Sequence, residues 1–402
     1  MFHFLRIHTV PTEEEGSTWL QLFFDLVYVA ILVELGNRLG NDLNLEGVIT
    51  FILLLIPIWS SWLEFVDYGQ RYPIDDIGQR ILTILYMAFM LIMAFEIHRI
   101  TGSTAITFFI TFGMSKFILA LMYARAWFYY PEYRRLTRNR GVSFLVIGVL
   151  WIIVAFVAPT KVLLWAIVIV VGGMMPVIFR RNHHNMARSD STSPPFKYHF
   201  TLYRFGELTI IVLGEFFIKL VISSTGRELT PINYLIGAGL LSISVCIWWL
   251  YFDHLEHANL AQAGTRVMAW VYSHFPFMVG IVSYGVIGNK IFAAIPQEPL
   301  PDAKRMLFTG SLAVALLAFG IIEWASKEKD EPLARTPQPW FRVGGASFLL
   351  IIGLLGKSVN VGWFVLIVAS VLLLEVAVDV YERLRSPEPL NARNNVVTGQ
   401  ET

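Results

Sequence analysis

The sequence predicts an all-α polytopic membrane protein with about 12 transmembrane helices, arranged as two parallel six-helix repeats with both termini in the cytoplasm. The first observation is composition: 55% of the 402 residues are hydrophobic and 15% are charged, and the mean hydropathy is +0.59. These values lie far from those of soluble domains. The second is a series of long apolar runs, and the third is a set of motifs that recur in the same order in both halves.

The apolar runs are long enough to cross about 30 Å of hydrocarbon. In order, they occupy residues 17–36, 47–67, 80–98, 103–125, 141–158, 161–179, 199–223, 231–252, 266–290, 304–325, 343–356 and 361–382. Residues 1–16 are polar and acidic and lack the apolar core of a signal peptide. The first span is therefore expected to be the first membrane anchor.

The domain boundaries follow from these spans. We predict a cytoplasmic segment at 1–16, a first repeat at 17–179, a cytoplasmic linker at 180–198, a second repeat at 199–382 and a flexible cytoplasmic tail at 383–402. Pro194 and Pro195 in the linker suit an exposed connection. Arginines and lysines concentrate between spans four and five and between spans six and seven, which places those connections and both termini on the cytoplasmic side of the cell (inner) membrane.

Several motifs support the duplication. Residues 58–67 match 246–253 with one residue of slip, residues 141–145 match 345–349, and Arg80, Tyr86 and Phe89 align with Arg266, Tyr272 and Phe275. Each half contains an even number of predicted spans, so both halves enter the membrane from the same side. Such repeats are parallel and related by an axis along the membrane normal.

Three ionisable residues are expected at one level near the middle of the membrane. Asp25, Glu207 and His274 each lie eight residues after the start of a predicted span, about 12 Å deep. Ionisable groups at that depth usually face a protein interior or a watery cavity and mark an ion or proton path. A structural role is the alternative: Arg204 precedes Glu207 by three residues and could neutralise it, and Asp25 could cap a helix or pair with Lys116.

His274 has a feature of its own, because Pro276 follows two residues later and disrupts the backbone hydrogen bonding of the helix. A kink there could open a cavity in which a histidine relays protons. A histidine that only hydrogen-bonds across helices is an equally common alternative. The aligned residue in the first half is Ala88, so the two halves differ chemically at this position.

Secondary candidates lie nearer the ends of the spans. Glu215 and Lys219 are spaced for an ion pair on one helix face and are a candidate outer gate. Glu64, Asp67 and Asp253 lie near the cytoplasmic ends of spans two and eight and are candidates for coupling.

Two arginines in equivalent positions complete this secondary set. Arg80 and Arg266 begin spans three and nine, and they are expected to pair with Asp67 and Asp253, respectively. Asp253 is also close to His254 and His257, but without cysteines the spacing does not support a metal site. No metal and no cofactor are predicted.

Catalysis has no positive support, because the sequence contains no nucleophile elbow, phosphate-binding glycine loop or zinc-type His-Glu spacing. We therefore predict that the protein is not an enzyme. Nucleic-acid binding is also not predicted, since the net charge is +1 and the basic residues follow the membrane topology.

Four segments resemble the bacterial low temperature requirement A family. They are residues 22–30, 205–215, 248–253 and 272–276. The chain departs from the usual family pattern at Tyr28, where a Phe is usual, before Glu207, where a His-Gly is usual, and at Phe275, where a Leu is usual. The family is named for a growth phenotype in the cold, so the resemblance implies a membrane protein without implying a substrate.

Three functions are consistent with these observations. The first is a secondary transporter of a small solute or ion, with or without proton coupling, that rocks about a midplane site. The second is a cation channel, because residues 23–28 resemble a short signature of the lysosomal-type potassium channels; it would require a homodimer with spans one and seven lining the pore. The third is a non-transporting protein of membrane adaptation to stress. The expected partners are the lipid bilayer and a small solute or cation.

Overall fold

The computed structural model describes residues 18–100, 102, 104–157, 198–256, 258, 264–293, 298–326 and 339–385. These residues form eleven α-helices. They are α1 Trp19–Asn41, α2 Leu45–Arg71, α3 Ile77–Glu96, α4 Ala105–Tyr129, α5 Arg134–Val157, α6 Tyr198–Ser224, α7 Pro231–Glu256, α8 Gly264–Phe292, α9 Asp302–Ser326, α10 Pro339–Leu355 and α11 Val361–Arg385. Within the described ranges there are no strands beyond a single bridge between Pro299 and Asn360.

Ten of the described helices are long and apolar enough to cross a membrane, which confirms a polytopic membrane protein. The helix that does not meet this composition is α6, which is 27 residues long but carries Arg204, Glu207, Glu215 and Lys219. The predicted sixth span, 161–179, lies outside the described residues, as do residues 1–16, most of the predicted linker and the tail beyond residue 385.

Helix α5 begins seven residues earlier than the fifth predicted span. Its first two turns contain Arg134, Arg135, Arg138 and Arg140, which lie in the predicted connection between spans four and five. A helix can extend through the headgroup region when long basic side chains keep their charges at the interface. The apolar run alone therefore underestimates the length of this helix.

The chain divides into two compact units, residues 1–218 and 219–402. In the first, α1 packs against α2 and α3, and α4 packs against α3 and α5. In the second, α9 packs against α8 and α10, and α11 packs against α7. The predicted duplication concerns the sequence, and its parallel arrangement and the cytoplasmic position of the termini stay predictions.

Local sequence fixes the start of α1. The Thr18 hydroxyl accepts a hydrogen bond from the Gln21 amide at 3.3 Å, and the Gln21 side chain accepts one from the Thr18 amide at 2.9 Å. This capping box satisfies two amide groups that a helix leaves without partners at its start. It sets the register that places Asp25 six residues into α1.

Glycines allow α4 and α5 to approach closely. A Cβ atom on Gly113 would lie 2.7 Å from the carbonyl oxygen of Gly148, and one on Gly148 would lie 2.9 Å from the carbonyl oxygen of Gly113. Close backbone contact through small residues is a common way of packing helices in membranes. The α4–α5 crossing therefore depends on the absence of side chains at these two positions.

Candidate ion or solute site

The centre of the first unit contains a buried ion pair between α1 and α6. Arg204 donates a hydrogen bond through Nη2 to Oδ1 of Asp25 at 2.6 Å, and neither side chain is exposed. The indole Nε1 of Trp62, on α2, donates to the same carboxylate oxygen at 2.8 Å. Three helices thus converge on one carboxylate.

Aromatic packing and a polar contact hold α6 against α2 at this site. The Phe205 ring meets Trp62 edge-on, with centroids 4.9 Å apart, and lies 5.8 Å from Trp59. Near the start of α6, the Thr201 hydroxyl donates to the Gln70 side chain at 3.0 Å. These contacts orient the face of α6 that carries Arg204 toward Asp25.

Glu207 lies one turn after Arg204. Its Oε2 is 3.9 Å from Nη1 of Arg204, and its side chain is 24% exposed. The predicted pairing of Arg204 with Glu207 is therefore present, but at a longer distance than the pairing of Arg204 with Asp25. The primary partner of Arg204 is Asp25, which lies 179 positions away in the chain.

The pair does not use its full hydrogen-bonding capacity. Asp25 Oδ2, Arg204 Nε and Nη1, and the buried Tyr28 hydroxyl have no hydrogen-bond partner among the described residues. Buried polar groups are normally hydrogen-bonded. The arrangement therefore leaves both donors and an acceptor that a proton, a water molecule or a polar solute could engage.

The predicted pairing of Asp25 with Lys116 is wrong. Lys116, on α4, donates to the Glu64 carboxylate and to the Ser61 hydroxyl instead. Both of these partners lie on α2. Trp62, the residue after Ser61, donates its indole hydrogen to Asp25. Consecutive residues of α2 thus contact α4 and α1, and each acid has a basic partner of its own.

The predicted pairing of Arg80 with Asp67 is also wrong. Arg80 forms an exposed bidentate pair with Asp75, at 2.8 and 2.9 Å. Asp67 instead accepts from Arg71, on the next turn of α2, at 2.8 Å, with Arg140 of α5 at 3.9 Å. Arg71 is four residues from Asp67, and Arg80 is five residues from Asp75. Partners this close in the chain lose less side-chain freedom on pairing than more distant ones would.

His274 lies in the second unit, where both of its ring nitrogens have partners. Nδ1 is 2.7 Å from the Trp270 carbonyl oxygen, and Nε2 is 3.0 Å from the Tyr251 hydroxyl. A carbonyl only accepts, so Nδ1 carries the hydrogen, and a neutral imidazole satisfies both contacts when Nε2 accepts from Tyr251. Helix α8 continues through Pro276 to Phe292.

Two comparisons with known proteins concern the family of this chain. The model of the bacterial low temperature requirement A protein (LtrA) family matches residues 16–381, which is most of the chain. The chain belongs to this family. An uncharacterized protein of Rhizobium meliloti (strain 1021) is 24% identical to this LtrA protein over 366 residues, which cover 86% of this chain and 84% of that protein.

A second buried charge cluster, in the second unit of the LtrA chain, was not predicted. Arg342 on α10 donates to Glu323 on α9 at 2.9 and 3.1 Å, and to Glu375 and Asp379 on α11 at 2.6 Å each. Arg342 is fully buried, and the three carboxylates are at most 9% exposed. We call these four residues the Arg342 cluster.

The sequence did contain a signal for this cluster. Glu375 and Asp379 are four residues apart in an otherwise apolar run, so both lie on one face of α11. Glu323 likewise lies within the tenth predicted span. Charges inside apolar runs of a membrane protein indicate a partner on a neighbouring helix.

The remaining candidates are less closely defined. The Arg266 guanidinium lies 5.7 Å from the centre of the Trp324 ring. The pairing of Arg266 with Asp253 and that of Glu215 with Lys219 stay predictions. Among the residues that the structure describes, no group of three His, Cys, Asp or Glu side chains is arranged to hold a metal ion.

Proposed function

We propose that this LtrA protein is a secondary transporter of the bacterial inner membrane that moves a small solute or ion. The proposed site consists of Asp25, Arg204 and Glu207, and its transport cycle is coupled to protons. The observation that carries the proposal is the buried contact of 2.6 Å between Asp25 and Arg204, with Glu207 at 3.9 Å from the same guanidinium.

The charge of this site supports a role in binding. Two carboxylates share one guanidinium, so the three groups carry a net charge of about −1 when all are ionised. Burying charges costs several kcal/mol per ion, and apolar residues of similar volume often stabilise a protein as well or better. Ionisable groups inside a membrane are associated with ion and proton pathways.

The hydrogen-bonding capacity of the site supports the same role. Asp25 Oδ2, two nitrogens of Arg204 and the Tyr28 hydroxyl have no hydrogen-bond partner among the described residues. A polar solute could accept from the guanidinium and donate to the carboxylate. Protonation of Asp25 would weaken its attraction to Arg204 and so change how α1 and α6 are held together.

The proposed partners and the role of His274 belong to the same proposal. The lipid bilayer and the transported solute or cation are the expected partners, and neither enzymatic activity nor nucleic-acid binding is proposed. A homodimer belongs to the channel alternative, in which two chains would supply four pore-lining helices. His274 remains a candidate in the second unit, where its contacts with Tyr251 and Trp270 also suit a structural role.

The test is flux through purified protein in liposomes, followed with pH- and potassium-sensitive dyes. Wild-type protein is compared with Asp25→Asn, which removes the charge while keeping the shape. The matched control is Glu34→Gln, on the same helix, whose side chain contacts Asn37 at 3.2 Å and lies about 180° around α1 from Asp25. We expect flux in the wild type and the control and none in Asp25→Asn.

The form of the flux separates the alternatives. Flux that saturates and follows an imposed gradient supports a transporter, whereas unsaturated cation flux supports a channel. Wild-type protein that is well folded and shows no flux of protons, cations or a panel of small organic solutes would contradict transport and favour the non-transporting role. Equal flux in wild type and Asp25→Asn would remove Asp25 from the path.

A further inference from the structure

A second ion pair in the interior of the first unit joins α4 to α2. The Lys116 ammonium contacts the Glu64 carboxylate and donates to Ser61 Oγ at 2.8 Å. Lys116 is 1% exposed, whereas Glu64 is 21% exposed. The pair therefore has a fully enclosed base and an acid with one accessible edge.

Two buried basic side chains of the first unit, Arg204 and Lys116, differ in one chemical respect. An arginine keeps its proton in proteins, whereas a buried lysine ammonium can release one. Arg204 therefore supplies a fixed positive charge beside Asp25. Among the described residues of this unit, Lys116 is the buried basic side chain that can change its charge.

The surroundings of Lys116 contain one carboxylate at hydrogen-bonding distance. On α2, Ser61 donates its own hydrogen to the Pro57 carbonyl at 2.9 Å, so it can only accept from Lys116. On α3, the Tyr86 hydroxyl donates to the Ser61 carbonyl at 3.2 Å. Within the described residues, Glu64 is thus the acceptor that can take a proton from Lys116.

An aromatic ring and a group of charged side chains lie near the pair. The Phe112 ring of α4 lies 4.8 Å from Lys116 Nζ and favours the cationic form. From α5, Arg140 lies 3.9 Å from Asp67, one turn beyond Glu64 on α2. Asp67 also accepts from Arg71 at 2.8 Å, so these two arginines and one carboxylate place a net charge of about +1 beside the pair when all three are ionised.

We infer that Lys116 and Glu64 are the proton-exchanging pair of the transporter, an inference that rests on the proposed function. An N–H bond of the Lys116 ammonium breaks, and the proton forms an O–H bond on Glu64. Glu64 then passes this proton to water at its accessible edge, which leaves a neutral amine beside a carboxylate. Uptake reverses both steps. The pair alternates between a net charge of zero and a net charge of minus one.

The coupling of α2 to the proposed transport site gives this exchange a consequence. Ser61 accepts from Lys116, and the adjoining Trp62 donates to Asp25. Loss of the charge on Lys116 weakens its attraction to Glu64 and releases α4 from this segment of α2. The same segment positions the indole that holds Asp25.

The first test is proton-coupled flux in liposomes containing Lys116→Arg, which keeps the positive charge but does not release a proton. We expect flux to fall by about 100-fold, the usual contribution of a positioned proton-transfer group. The control is Lys357→Arg, at an exposed lysine of the second unit, which should transport as the wild type does. Wild-type flux in Lys116→Arg would overturn the inference.

The second test does not depend on transport. Purified protein in lipid nanodiscs is titrated between about pH 5 and 9, a range in which exposed lysines stay protonated. Wild-type protein should release about one more proton per chain than Lys116→Arg, while Lys357→Arg should match the wild type. If Lys116→Arg does not fold, the double variant Lys116→Gln with Glu64→Gln takes its place, since it keeps no ionisable group at the pair and should lose the same proton.

The two tests together separate this inference from the proposed function. Titration curves that differ as expected, in a wild-type protein without flux, would support the proton-exchanging pair and contradict transport. Titration curves that coincide for the wild type and both variants would overturn the pair, whatever the flux.

Discussion

Asp25 and Arg204 are 179 positions apart in the chain, and their carboxylate and guanidinium meet at 2.6 Å with no exposure of either side chain. This contact joins the first helix to the sixth described helix within one compact unit. Each residue is the principal counter-charge of the other, so removal of one leaves an uncompensated charge in the interior.

Replacing Arg204 with Met should therefore destabilise the protein strongly. We expect a loss of ~3–5 kcal/mol, the usual cost of removing one member of a buried pair, measured as a fall in the thermal or denaturant stability of protein in detergent. Arg80→Met is the control, because the Arg80–Asp75 pair is 57% and 30% exposed and should contribute less than about 1 kcal/mol.

The double variant Asp25→Leu with Arg204→Met should recover part of that loss, since the fully buried carboxylate and its principal counter-charge are then removed together. A double-mutant cycle measures this coupling. Additive effects of the two single substitutions would contradict a direct energetic interaction between the two side chains.

Trp62→Phe should weaken the orientation of Asp25 while keeping most of the aromatic packing. The indole donates to Asp25 at 2.8 Å, and a hydrogen bond to a charged group contributes ~1.5–3 kcal/mol. The same substitution at Trp19, which is 87% exposed, should change the unfolding free energy little. Equal effects at the two positions would show that the indole donor is not important.

The Arg342 cluster predicts opposite outcomes for its base and its acids. Arg342→Met leaves three buried carboxylates without their shared guanidinium and should cost at least ~3–5 kcal/mol. Glu375→Gln removes one negative charge from a group with more acids than bases, so it should be close to neutral or stabilising. Thermal unfolding of the two variants in the same detergent tests both predictions. A larger loss of stability for Glu375→Gln than for Arg342→Met would contradict them.

Gly113→Ala should disrupt the crossing of α4 and α5. The added Cβ would lie 2.7 Å from the Gly148 carbonyl oxygen and 2.8 Å from an Ile152 carbon, and such overpacking usually costs 1–3 kcal/mol, here about 2. Gly310→Ala is the control in α9, where nothing among the described residues lies within 4 Å of the added atom; it should be neutral or stabilising because alanine favours helix formation. Thermal stability distinguishes the two.

Sequence alone predicted the helical membrane fold, because apolar length and composition are local properties that single runs of residues carry. It also placed Asp25 and Glu207 within predicted spans; the Asp25 side chain is fully buried, whereas that of Glu207 is 24% exposed. It did not predict that Arg204 belongs chiefly to Asp25, because the three-residue spacing to Glu207 is visible in the sequence and the approach of α1 to α6 is not.

The same limit explains the errors over Lys116 and the Arg342 cluster. Lys116 pairs with Glu64 because α2 turns Ser61 and Glu64 toward α4. Helix periodicity shows that these two residues share a face, but it does not show which helix that face contacts. The Arg342 cluster requires three helices to converge, and Arg342 itself precedes the predicted start of its span by one residue. Pairing between helices is a tertiary property. The sequence therefore shows that charged residues lie in or beside these spans, but not which of them pair.

Arg342 also has a consequence for how the chain enters the membrane. Helix α10 has 17 residues, with Arg342 as its fourth, and α9 and α11 carry the acids that bind it. Each of these helices inserted alone would expose an ionised group to lipid, at a cost that reaches about 2.5–3.5 kcal/mol for a charge at the helix centre and is smaller nearer the helix ends, where long side chains reach the interface. Once the three are together, each charge lies within protein. Biogenesis of this part of the chain should therefore proceed with α9 and α10 retained beside the translocon until α11 has been synthesised.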